Sequence, residues 1–109
     1  DEDAELIAIH RSKYFKDLDG HLSLGPGPFV GALESASGKV ATTVGKPSPS
    51  FFEAALDSMG CEDKSECVMI GDDLFGDVEG AMSVGVDAVL VRTGKYLPKD
   101  EANKNVKPT

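Results

Sequence analysis

The sequence predicts an α/β fold built on a parallel sheet with helices on both faces. Three observations carry that prediction. From residue 28 onwards, helix-like and strand-like stretches alternate without interruption. The stretch Cys67–Ile70 is apolar throughout, as a strand buried on both faces is, and Asp87–Val91 is nearly so. Alternation of this kind implies right-handed crossovers between parallel strands, and so a sheet covered by its own helices.

In order along the chain, Ala4–His10 is a short apolar run with strand character. Residues 11–28 are irregular, with a turn at Asp19-Gly20 and a breaker at Gly25-Pro26-Gly27-Pro28. The breaker divides the chain into 1–27, a core segment 28–96 and a polar tail 97–109. Pro28 suits the first turn of a helix whose apolar positions are Phe29, Val30, Leu33 and Ala36, closed by Gly38. Lys39–Gly45 is a β-branched strand. Ser50 and Glu53 have capping-box spacing before a helix with Phe52, Ala55, Leu56 and Met59 on one face, ended by Gly60. A polar loop leads into Cys67–Ile70, a short helix closes at Gly85, and Asp87–Val91 is a further strand. Arg92–Tyr96 reads as a loop, and the residues after it show no periodicity.

At 109 residues the chain has room for a modest core, and its net charge is −8. That charge disfavours nucleic acid and anionic membrane surfaces, which recruit Lys/Arg patches. No stretch of 18 apolar residues is present to span a membrane. Two cysteines, Cys61 and Cys67, cannot supply a four-ligand zinc site with His10 and His21 so far away. Cys67 opens an apolar strand and reads as a buried thiol, with a disulfide to Cys61 as the alternative; a reducing, cytoplasmic setting is expected.

In open parallel sheets ligands bind beyond the carboxyl ends of the strands. Lys46 follows one expected strand directly, and Asp72 and Asp73 follow another, separated from it by Gly71. Asp77 lies five residues after Asp72 and can return to the same place. Clustered carboxylates suit a hard divalent cation such as Mg²⁺, which takes oxygen ligands and pairs with substrate phosphate. Asp73 and Asp77 would also serve at a helix N-terminus, as cap and as dipole partner.

The runs VGKPSPSFFEAAL and VMIGDDLFGDVEGAMSVGVDAVLVRTGKY resemble the second half of a haloacid dehalogenase superfamily phosphatase. The resemblance covers Ala4 to about Tyr96 and rests on Lys-Pro after one strand and Gly-Asp-(four residues)-Asp after the next. It implies the C-terminal half of that family's Rossmann-like core, preceded by the last strand of a cap domain within 1–27. It implies that Lys46 neutralises phosphate and nucleophile, that Asp72 ligates Mg²⁺, and that Asp77 acts through water or by orienting the lysine. His10, Arg11 and Tyr14 would lie in the cap segment that overhangs a small phosphorylated substrate. Asp73 sits at a variable position and receives no role.

The family's nucleophile, the first aspartate of an Asp-x-Asp-Gly-Thr-type motif, has no counterpart here. Asp17-Leu18-Asp19-Gly20 is a near match, but it follows charged residues and has His21 where threonine belongs, so it reads as a turn. The chain therefore reads as the C-terminal part of a Mg²⁺-dependent phosphatase working through an aspartyl-phosphate, inactive alone and a homodimer candidate. The alternatives are a non-catalytic scaffold and a receiver-like phosphoacceptor module. In receivers the acids precede the lysine, whereas here Lys46 precedes Asp72. A P-loop is excluded, because Lys46 is followed by Pro47 and position 40 is valine.

Overall fold

The computed structural model describes residues 2–109. These form two compact units, one ending at Gly45 and the other running from Lys46 to Thr109. In the first unit the order is β1 (Ile7–Ala8), β2 (Tyr14–Lys16), β3 (Leu22–Leu24), α1 (Pro26–Ser37) and β4 (Thr42–Thr43). Strands β1 and β4 pair in parallel, Ile7 opposite Thr42 and Ala8 opposite Thr43. The expected strand Lys39–Gly45 thus narrows to two residues, with Val44 N–H adding a bond to the Ala8 carbonyl at 3.0 Å.

β2 and β3 form an antiparallel hairpin that the sequence does not announce, because strands of three residues carry too little alternation to be read. The turn joining them is where it is expected: Gly20 N–H bonds the Asp17 carbonyl at 3.0 Å, and Gly20 has φ 79°. Helix α1 starts at Pro26, two residues before the expected Pro28, and ends at left-handed Gly38 as anticipated. Its expected apolar face is exposed, with Phe29 60% and Leu33 55% open. Ladders two or three residues long offer too little surface to cover a helix of twelve.

In the second unit α2 (Pro49–Met59) precedes a 3-10 turn at Lys64–Glu66 and β5 (Val68–Gly71). A π-helical stretch, Leu74–Glu79, runs into the short α3 (Gly80–Ser83), followed by β6 (Asp87–Leu90) and a 3-10 turn at Pro98–Ala102. The Ser50–Glu53 capping box does not form. Pro49 presets the first helical φ, so the helix begins two residues earlier with Ser48 rather than Ser50 as its cap, and Glu53 pairs with Lys64 at 2.8 Å instead. β5 and β6 pair in parallel from Val68–Asp87 to Gly71–Leu90, which bears out the predicted fold class.

The core of this unit gathers Phe52 and Leu56 from α2, Leu74, Val78 and Ala81 from the helical crossover, and Val86 and Ala88 around β6. Met69 and Leu90 pack against it from the same sheet face, whereas Val68, Ile70 and Val89 face outward and stay exposed. The stretch after Tyr96, expected to lack regular structure, is built in. Val106 joins the core, and Thr109 N–H bonds the Ala88 carbonyl at 2.8 Å. Cys61 and Cys67 are joined as a disulfide, so the expectation of a free Cys67 thiol is corrected. Both sulfurs sit at the core margin, where the turn between α2 and β5 folds back on itself.

Leu56 is 4% exposed in the middle of this core. Leu56→Ala is expected to lower the unfolding free energy by about 2–5 kcal/mol, through lost transfer energy and the cavity left behind. Urea unfolding followed by circular dichroism measures it.

Candidate active site

The site grows from the end of β5. Gly71 closes the strand, and a Cβ there would lie 2.3 Å from Asp77 Oδ2 and 2.5 Å from its Cγ. Glycine is required because the Asp77 carboxylate is folded back against the strand end. Asp77 is 4% exposed, and both its oxygens have donors. Lys46 Nζ donates to Oδ1 at 2.6 Å, and Asp73 N–H donates to Oδ2 at 3.2 Å. A buried carboxylate persists only when paired in this way. Lys46 keeps its side chain 43% exposed.

Asp73 caps the π-helical stretch. Its Oδ1 accepts from Phe75 N–H at 3.2 Å and Gly76 N–H at 2.9 Å, while Lys95 Nζ reaches Oδ2 at 3.0 Å. Burial works to raise the Asp73 pKa, but the Gly76 amide, the Lys95 ammonium and the Phe75 amide outweigh it and hold the group below its ordinary value. A depressed carboxylate stabilises the fold above its unfolded pKa, near 3.8 here, and loses that contribution as pH falls through the lower folded value. Asp72, half-buried, receives two donors on Oδ2, the Thr93 hydroxyl at 3.2 Å and the Lys95 amide at 3.4 Å.

Of the residues singled out from sequence, Lys46, Asp72, Asp73 and Asp77 therefore meet in the second unit. His10 and Arg11 make their bonds within the first. His10 Nδ1 accepts from Ser12 N–H at 3.3 Å, Arg11 Nε donates to Thr43 Oγ1 at 3.1 Å, and the Arg11 guanidinium pairs with Glu34. Among the described residues, the three metal-capable side chains whose ligand atoms lie within 4.8 Å of one another are Asp17, Asp19 and His21. Asp17 is already occupied there as the pin of the hairpin turn, accepting from Asp19 N–H at 3.1 Å, His21 N–H at 2.9 Å and Ser23 Oγ at 3.0 Å. Asp72, Asp73 and Asp77 do not gather as closely, since Asp77 faces Lys46 and Asp73 faces Lys95. Sequence reasoning missed Thr93 and Lys95. Their signal was position alone: polar residues either side of a glycine, just past a buried parallel strand.

A family model described as HAD-hydrolase-like matches residues 43–109, which is more than half of the chain. The chain belongs to the HAD-hydrolase-like family. It is 55% identical over 105 residues to human haloacid dehalogenase-like hydrolase domain-containing protein 2, covering 96% of this chain and 40% of that protein. It is 48% identical over 106 residues to phospholysine phosphohistidine inorganic pyrophosphate phosphatase from Bos taurus, covering 97% of this chain and 38% of that one. Among solved structures it superposes on glycerol phosphate phosphatase from Mycobacterium tuberculosis in complex with magnesium. The TM-score there is 0.79 at 27% identity, over 94% of this chain and 30% of the other. This HAD-family chain thus spans about 40% of the length of the curated relatives it matches. Among the described residues no helix is long and apolar enough to cross a membrane.

Proposed function

We propose that this chain supplies the lysine and the acidic metal ligand of a Mg²⁺-dependent phosphatase whose nucleophile lies outside residues 1–109. The observation that carries the reading is the Lys46–Asp77 pair at 2.6 Å, set against the strand end from which Asp72 also projects. A half-exposed ammonium anchored by a buried carboxylate is a fixed positive charge. Such a charge stabilises a phosphoryl group as negative charge shifts onto its oxygens and onto the leaving group.

The donor set fits a hard cation, since it is made of carboxylate oxygens with no nitrogen or sulfur among them. Asp72 would hold it directly, and Asp77 would act through water while orienting Lys46. When bound, Mg²⁺ would supply Lewis-acid neutralisation of the phosphate oxygens. In the complete protein an aspartate oxygen would attack phosphorus and expel the alcohol. Water would then cleave the aspartyl-phosphate to free phosphate. The substrate class proposed is a small phosphorylated molecule, with His10 and Arg11 as further candidate substrate-binding groups. Residues 1–27 are proposed as the end of a cap domain and 28–96 as part of the core. The exposed face formed by Val68, Ile70 and Val89 supports a core completed by further chain. The setting proposed is cytoplasmic, and a homodimer is the assembly to test by sedimentation.

The chain alone should hydrolyse p-nitrophenyl phosphate negligibly with Mg²⁺ present. A hybrid in which it replaces the matching 40% of the human relative should be active. Turnover by the isolated chain comparable to the hybrid's would overturn the placement of the nucleophile elsewhere.

A further inference from the structure

We propose that Thr93 and the backbone amide of Lys95 are positioning groups that fix Asp72 for one-oxygen ligation of a divalent cation. The proposal rests on the reading of Asp72 as a metal ligand and extends it to a segment which that reading does not use.

β5 and β6 run parallel and end at the same edge, where Val91 N–H bonds the Gly71 carbonyl at 2.9 Å. The residues just beyond the two strands must therefore meet. After β6 the chain turns, with Tyr96 N–H bonding the Thr93 carbonyl at 2.9 Å. This turn lays Gly94 onto the Asp72 carboxylate so closely that a Cβ at Gly94 would stand 2.1 Å from Oδ2. The two neighbours of Gly94 both donate to that same oxygen, at 3.2 Å and 3.4 Å. Among the described residues no hydrogen bond reaches Asp72 Oδ1. One oxygen is thus held and the other is presented.

The turn is itself fastened from outside. Arg92 Nε and the Tyr96 hydroxyl both donate to Glu101 Oε1, at 2.8 Å and 2.6 Å. The Tyr96 hydroxyl and then Arg92 hold the Glu101 carboxyl below its ordinary pKa, so the brace is in place at neutral pH. Lys95 Nζ adds a second tie, to Asp73. A carboxylate that chelates through both oxygens subtends far less than the right angle of an octahedron. Mg²⁺ and Mn²⁺ therefore favour a single oxygen, whereas Ca²⁺, with a looser shell, accepts both. Pinning Oδ2 therefore selects for the smaller ions, and outer hydrogen bonds to a ligating carboxylate generally serve to orient it for its metal.

The test is an Mn²⁺ titration of this chain, read by paramagnetic broadening of amide resonances around Asp72, with Ca²⁺ as competitor. Thr93→Val deletes the hydroxyl at constant volume and should weaken Mn²⁺ about 10–100-fold. It should also lower the preference for Mn²⁺ over Ca²⁺, which a purely structural role would leave unmoved. Thr93→Ser should restore both, and Gly94→Ala, which drives a methyl into Oδ2, should reproduce the valine defect. Unchanged affinity and unchanged ion preference in Thr93→Val, with its amide spectrum otherwise intact, overturn the proposal. Absence of saturable broadening near Asp72 in the wild-type chain instead removes the metal reading itself, and the positioning role falls with it.

Discussion

Lys46→Ala should cut kcat of the hybrid enzyme by about 10²–10³-fold, the usual cost of removing one preorganised electrostatic contact to a transferring group. The effect should fall on kcat more than on KM, because the contact matters most once phosphoryl charge begins to shift. Lys46 has a second role that the experiment must separate. Its ammonium is the partner of Asp77 Oδ1 at 2.6 Å, and Asp77 is 4% exposed. Removing the lysine leaves a buried carboxylate with only the Asp73 amide for company, which destabilises the fold. Lys46→Ala combined with Asp77→Asn, compared with Asp77→Asn alone, resolves the two roles, since a neutral amide needs no counter-ion. Thermal unfolding should recover in the double variant while kcat stays low. Thermal recovery with kcat equal to that of Asp77→Asn alone would mean that Lys46 only props up Asp77, and the assignment of Lys46 to phosphate would fail.

The acids were legible because each comes after a strand whose apolar character is unmistakable. Met69 and Ile70 mark β5, and the residues just past Gly71 must lie at a strand end. How the acids divide their work was not legible. Lys46 and Asp77 are 31 residues apart, so their pairing exists only after the crossover has folded. Asp73 shows the competition most plainly. Its sequence position suits a cap or a ligand, and the structure gives it the cap, with Lys95 on its other oxygen. The residues 97–109 look unstructured because they show no periodicity and what ties them to the core, Val106 among the buried side chains and Thr109 on Ala88, is long-range. The apolar stripe of α1 is correctly periodic, yet periodicity says only which face can be buried, not what covers it.

Asp72→Ala should cost the hybrid at least as much kcat as Lys46→Ala, and should raise the Mg²⁺ concentration needed for half activity. The geometry separates Asp72 from its neighbours. Asp77 gives both oxygens to Lys46 and the Asp73 amide, and Asp73 gives its oxygens to the helix start and Lys95. Asp72 alone of the three has an oxygen that no hydrogen bond reaches among the described residues. Asp73→Ala should therefore cost less activity and more stability, since it removes a helix cap worth about 0.5–2 kcal/mol. That stability loss should shrink as pH falls through the Asp73 pKa, because protonation discharges the wild-type carboxylate as well. The measurement is kcat against Mg²⁺ for both variants, with urea unfolding at neutral and acid pH alongside. An Asp73→Ala enzyme that needs far more Mg²⁺ than Asp72→Ala would exchange the two roles. The Lys95–Asp73 contact would then have to open whenever the cation binds.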